Sequence, residues 1–192
     1  MKKSVLLILS LVFIFVACEN SASKNTSKDK VAETGQAPAR KMTGPDQGAY
    51  TPLTKQQATD FFPKQLGDYK LFHVDVNLLK SNGSASASYV KGNDFDHSLT
   101  YSLEDGQHKG SAILKNFEAS YNSDLKGPEG TSYIKKERDN YKTISFLQPG
   151  INQYEIRFIY KNRFRLTLEG AERPDELWKY VSEKDLQKLD SY

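Results

Sequence analysis

The sequence predicts an α+β fold: a mostly antiparallel sheet of about six or seven strands, packed with helices. Three observations carry this. Seven stretches between Tyr69 and Glu169 read as strands, several with the period of two that a half-buried strand requires. Turn residues separate most of them by a few positions, which favours hairpins over crossovers. Stretches near residues 54–62, 109–122 and 174–189 instead carry helical spacing or helix-start residues.

The elements follow in chain order. Thr54 to Phe62 reads as a short helix, with Thr54 and Gln57 as a capping box and Pro63 as its stop. Tyr69 to Asn77 alternates, placing Phe72, Val74 and Val76 on one face and His73 and Asp75 on the other. Asn82-Gly83 signals a turn. From Ser84 to Lys91, Ala85, Ala87 and Tyr89 alternate with Ser84, Ser86 and Ser88, small residues that let a helix approach closely. Leu99, Tyr101 and Leu103 mark a third strand, closed by Glu104-Asp105-Gly106. A helix from about Lys109 to Asn122 carries Ile113, Leu114, Phe117 and Tyr121 on one face. Gly127 to Gly130 is a loop. Strands follow near 131–136, 140–147, 151–160 and 164–169, with Pro149-Gly150 suited to a type II turn.

The register of the last hairpin can be read from the pattern. A three-residue loop, Lys161 to Arg163, sets Tyr160 opposite Phe164, Phe158 opposite Leu166 and Ile156 opposite Leu168. It leaves Arg157 and Arg165 together on the other face. Pro174, followed by Asp175 and Glu176, opens a C-terminal helix carrying Leu177, Trp178 and Val181. Ser182 with Asp185 reads as the cap of a final helix bearing Leu186 and Leu189. The resulting order, α-βββ-α-ββββ-α, resembles the antiparallel α/β sandwiches of the PsbP/Mog1-like type. That resemblance implies a fold and no function.

Upstream of residue 50 the composition changes. Residues 19–49 hold no aromatic residue, no Leu and no Ile, whereas all 11 tyrosines lie at or after Tyr50. Such a stretch buries too little apolar surface to offset its ordering entropy, and reads as a disordered tether with a reach of roughly 30 Å. Before it, Lys2-Lys3 precede an apolar run from Val5 to Val16, too short for the ~20 residues that span a bilayer as a helix. Phe15-Val16-Ala17-Cys18 closes that run. These residues resemble a bacterial lipoprotein signal peptide with its lipobox, although Phe15 stands where Leu is commonest. The resemblance implies removal of residues 1–17, a covalent lipid on Cys18 and a chain anchored in the cell envelope. Glu19, in place of the Asp that favours inner-membrane retention in Gram-negative systems, points to the outer membrane. The domains expected are therefore 1–17 signal peptide, 18–49 lipidated cysteine and tether, and 50–192 a single globular domain.

Cys18 is the one cysteine, so no intramolecular disulfide can form and the domain must stand on its core. The formal net charge of +3 includes Lys2 and Lys3. Residues 50–192 carry 20 basic and 20 acidic side chains, a balance without the broad cationic field of a nucleic-acid partner.

Candidate chemistry is sparse. Asp94, Asp96 and His97 could ligate a metal, but a loop entering a strand has the same composition, and the site expectation is no metal. Glu104, Asp105 and His108 form a similar group. His73 beside Asp75 reads as a surface ion pair. No Gly-x-Ser-x-Gly, phosphate loop or His-Glu-x-x-His occurs, and no catalytic residue is assigned. Arg157, Lys161, Arg163 and Arg165 are the candidates for contact with an anion, a lipid headgroup or a partner; a solvated cationic face gives the same pattern. Trp178 reads as a core anchor. The chain is thus expected to be a lipid-anchored envelope protein, non-enzymatic, that binds another envelope protein and needs no cofactor beyond its lipid. The alternatives are a carrier or sensor of a small amphiphile in a closed apolar pocket, and a hydrolase with dispersed residues.

Overall fold

A computed structural model describes residues 51–78, 83–107 and 111–192. The signal segment, Cys18, the tether, Asn82, His108 and Lys109 lie outside the described residues. The elements are α1 (Lys55–Phe61), β1 (Gln65–Leu66), β2 (Tyr69–Asn77), β3 (Gly83–Lys91), β4 (Asp94–Asp105), α2 (Ala112–Asn122), β5 (Ser132–Arg138), β6 (Tyr141–Gln148), β7 (Gln153–Tyr160), β8 (Phe164–Gly170), α3 (Pro174–Trp178) and α4 (Glu183–Leu186). The fold is α+β. All strands join one antiparallel sheet of order β1-β2-β3-β4-β8-β7-β6-β5. The strand that pattern reading misses is the two-residue β1.

Local chemistry sets the ends of these elements. Thr54 and Gln57 form the reciprocal capping box, and Phe62 is extended, as a residue before proline must be. Ser111 caps α2 by accepting from the Leu114 N–H. Gly92 takes φ +62° in the tight β3–β4 turn, where a side chain would be strained. The β7–β8 hairpin holds the three-residue loop, with Tyr160 paired to Phe164, Phe158 to Leu166 and Ile156 to Leu168. Lys161 and Asn162 take positive φ there.

The inner face of the sheet carries the main core. Ala87, Tyr89, Leu99, Tyr101, Leu103, Ile156, Phe158, Leu166 and Leu168 are buried beneath α1, α3 and α4, which contribute Phe61, Leu177 and Leu186. Phe61, Phe62 and Tyr101 meet edge to face with centroids 5.1–5.9 Å apart, a preferred aromatic geometry. Ala85 and Ala87 of β3 are buried in this core, and Tyr89 donates its hydroxyl to the Pro63 carbonyl at 2.9 Å. Trp178 packs on Phe158, centroids 5.1 Å apart, and donates Nε1–H to Asp139 at 2.8 Å. On the outer face α2 packs over β6 and β7, making a second, smaller core from Ile113, Leu114, Phe117 and Ile144.

Several expectations need correction. Phe72 does not share a face with Val74 and Val76: a β-bulge between Leu71 and His73 makes it the extra residue and leaves it 62% exposed. β4 begins at Asp94, five residues before the Leu99 alternation. Pro149-Gly150 is a 3₁₀ turn, with the left-handed residue at Asn152 (φ 51°) rather than at Gly150. Ser182 occupies the cap position of α4 without a capping side-chain bond. His73 and Asp75 are exposed and form no ion pair among the described residues.

One ion pair fastens the end of the sheet at which the described chain starts. Asp105, 1% exposed, follows Leu103 on the inner face and accepts two bonds from Arg163, Nε and Nη2, each at 2.8 Å. The same guanidinium donates to the main-chain oxygens of Tyr192 (2.7 Å) and Thr51 (2.9 Å). Gly106 donates its N–H to the Arg163 carbonyl at 2.8 Å, and a Cβ at Gly106 would lie 2.7 Å from that oxygen. Removing one member of a buried pair strands the other charge at a cost of about 3–5 kcal/mol. Arg163→Ala should therefore lower the unfolding free energy by about that amount in urea titrations, whereas Arg163→Ala with Asp105→Leu should recover a large part of it. A loss within about 0.5 kcal/mol for the single variant would show the pair to be dispensable.

Candidate functional site

The outer face is covered on one side only, and this asymmetry makes the site. α2 lies over β6 and β7, while among the described residues no helix packs on the outer faces of β2, β3, β4 and β8. Register places side chains in rows across that open half. One row runs Asp75, Ser86, Ser102, Thr167, Arg157; the next runs Asn77, Ser84, Glu104, Arg165. In the first row the three middle members are short hydroxyl residues between a carboxylate and a guanidinium, and the second row adds Ser84 beside the Glu104–Arg165 pair. The result is a groove of about 390 Å³ with a hydroxyl floor.

Its charges are unequally satisfied. Arg165 bonds Glu104 through both Nε and Nη2. Gln153 donates to Glu169. Arg157 approaches Glu155 at 3.7 Å, an ionic contact without a hydrogen bond, with the two side chains 27% and 26% exposed. Burial pushes the Glu155 carboxyl above the ordinary carboxylate range, opposed by Arg157 and reinforced by Glu169. Ser86, Ser102 and Thr167 make no side-chain hydrogen bond among the described residues.

The four cationic residues of the β7–β8 hairpin therefore divide. Arg157 and Arg165 are brought together in the groove. Arg163 is drawn into the Asp105 pair, and Lys161 stands 3.5 Å from Asp190 beside the C-terminal turn. Asp94, Asp96 and His97 sit at the start of β4. Asp94 accepts from the backbone N–H groups of Asp96 and His97, and its Oδ2 lies 2.8 Å from His97 Nδ1. That side-chain bond, above all, holds the Asp94 carboxyl below its usual range. Among the described residues no three His, Cys, Asp or Glu side chains converge as a metal site.

A second feature escapes pattern reading. Phe72, turned out by the bulge, meets Phe95 edge to face at 5.2 Å, and both rings are exposed, 62% and 57%. The pair sits where β3 ends and β4 begins. Thr51 is held toward the opposite end, where β4 ends, by Arg163. The change of phase between Tyr69, Leu71 and Val74, Val76 is the sequence signal of the bulge.

No protein-family model, curated protein or solved structure matches the chain. The likeness to PsbP/Mog1-like folds thus rests on element order alone.

A raised carboxyl pKa in the folded state means that folding favours the protonated form. Glu155 therefore contributes stability below its unfolded pKa that is lost as pH rises through its folded pKa. Glu155→Gln should raise the melting temperature at pH 7–8, with the gain shrinking below about pH 4. A gain that is the same at both pH values would separate the effect from the charge.

Proposed function

We propose that this chain is a lipid-anchored envelope lipoprotein whose domain docks on another envelope protein. The anchor rests on the N-terminal sequence: Lys2-Lys3, the apolar run and the Phe15 to Cys18 box. Acyl chains on Cys18, each methylene worth about 0.8 kcal/mol when buried, hold the protein to the membrane, the outer membrane by the Glu19 argument. Residues 19–49 then act as a tether.

The observation that carries the docking reading is the exposed Phe72–Phe95 pair. A bulge that turns a phenylalanine into solvent leaves apolar area in water even with Phe95 packed against it. Aromatic side chains are favoured anchors at protein interfaces. The pair lies at the end of the sheet opposite Thr51, so a domain tethered through that residue can present it away from its own membrane. Equal numbers of basic and acidic residues in 50–192 keep the domain from adhering nonspecifically to polyanions.

Two measurements test this. Cys18→Ala should leave the protein as an unprocessed precursor or release it from the membrane fraction; normal cleavage with full membrane retention would remove the anchor from the account. Separately, p-benzoylphenylalanine placed at position 72 or 95 in intact cells should give a discrete protein adduct, and at Lys115 on α2 should not. Adducts from 115 with none from 72 or 95 would refute the docking surface.

A further inference from the structure

The groove on the open half of the sheet is independent of the anchor and of the aromatic pair, and its unmet bonding capacity has a definite chemistry. Arg165 and Glu104 satisfy one another. What remains is one guanidinium, Arg157, that makes no hydrogen bond among the described residues, and two carboxylates in the same state, Glu155 beside it and Asp75 across the floor. Between them lie the hydroxyls of Ser86, Ser102 and Thr167, also without side-chain bonds among the described residues. These groups are hydrated in the open groove, and an occupant that supplies both signs of charge and several amide-type groups can replace that water bond for bond.

Charge excludes one class. The groove is lined by two arginines and three carboxylates, Asp75, Glu104 and Glu155. A dianion such as a phosphate would meet Arg157, but with Arg165 held by Glu104 no second cation of the lining is left for its other charge, while Glu155 and Asp75 face it. A carboxylate carries a single charge and matches a guanidinium in a bidentate manner. The carboxylate on the far side calls for a cation.

Length narrows the class further. Asp75 and Arg157 occupy one row on β2 and β7, four strand spacings apart in the sheet order, about 19 Å between Cα atoms at ~4.8 Å each. The side chains stand off the sheet, so a chain joining their charged heads is a few extended residues long at ~3.3–3.6 Å each. We infer that the groove binds a short zwitterionic peptide of two or three residues, its terminal carboxylate on Arg157, its ammonium on Asp75 and its amides over Ser86, Ser102 and Thr167.

The test is isothermal titration of the full-length protein with trialanine, N-acetyl-trialanine, trialanine amide and inorganic phosphate. Trialanine should bind saturably, and blocking either terminus should weaken binding at least tenfold. Arg157→Gln should bring trialanine down to the level of its amide. Asp75→Asn, at an exposed position that the fold does not use, should weaken trialanine but leave N-acetyl-trialanine unchanged. No saturable binding of trialanine at millimolar concentration would overturn the inference. So would equal binding of the blocked peptides, or phosphate binding more tightly than trialanine. None of these outcomes bears on anchoring or docking, which the Cys18 and crosslinking measurements decide on their own.

Discussion

The Asp105–Arg163 pair is the interaction around which the domain closes. Asp105 stands at an inner-face position, continuing the alternation of Leu99, Tyr101 and Leu103, where a carboxylate without a partner would be prohibitive. Arg163 comes from the β7–β8 turn and supplies a planar fork matched to it. Its remaining hydrogens hold Thr51 and Tyr192, so one side chain joins the start of the described chain, its last residue, the end of β4 and a turn. A buried pair of this kind gives little net stability over apolar residues of similar volume. Its effect here is to fix which ends meet.

The order of the sheet shapes both surfaces of interest. With β8 placed between β4 and β7, the hydroxyl-bearing outer faces of β3, β4 and β8 lie side by side, and the long residues of β7 border them. α2 covers β6 and β7 and stops there. The groove is what remains uncovered. The aromatic pair arises separately, from one extra residue in β2 that turns Phe72 outward to Phe95. Other charges serve the frame. Arg138, 8% exposed, ties the end of β5 to Asp175 at the start of α3, and its bonds, ahead of those from Lys136, hold the Asp175 carboxyl below its usual range.

Much of the fold was legible because apolar spacing determines it. Only one register of the last hairpin brings Tyr160, Phe158 and Ile156 against Phe164, Leu166 and Leu168, and that register forms. The capping box at Thr54 was equally plain, since it depends on residues three apart. The bulge was hidden because Phe72, Val74 and Val76 alternate without interruption, although Tyr69 and Leu71 stand in the opposite phase. Pro149-Gly150 fits a type II turn, but Asn152 also tolerates a left-handed conformation and takes it. Arg157 and Arg165 could be placed on one face from the hairpin alone. Their neighbours Ser86 and Ser102 could not, because the β4–β8 pairing is non-local and no short-range pattern encodes it. For Arg163 a signal did exist: an acidic residue at the inward position 105 demands a buried cation.

The central claim is that this ionic closure is part of the global core and not a surface latch. Native-state hydrogen exchange reads it directly. The N–H of Gly106 donates to the Arg163 carbonyl and that of Gln107 to Asp105 Oδ1. If the closure holds the fold, both should exchange with the same opening free energy and denaturant dependence as the amide of Leu103 in the middle of the sheet, through global unfolding alone. Exchange of Gly106 and Gln107 through a low-energy local opening, with Leu103 still protected, would contradict it.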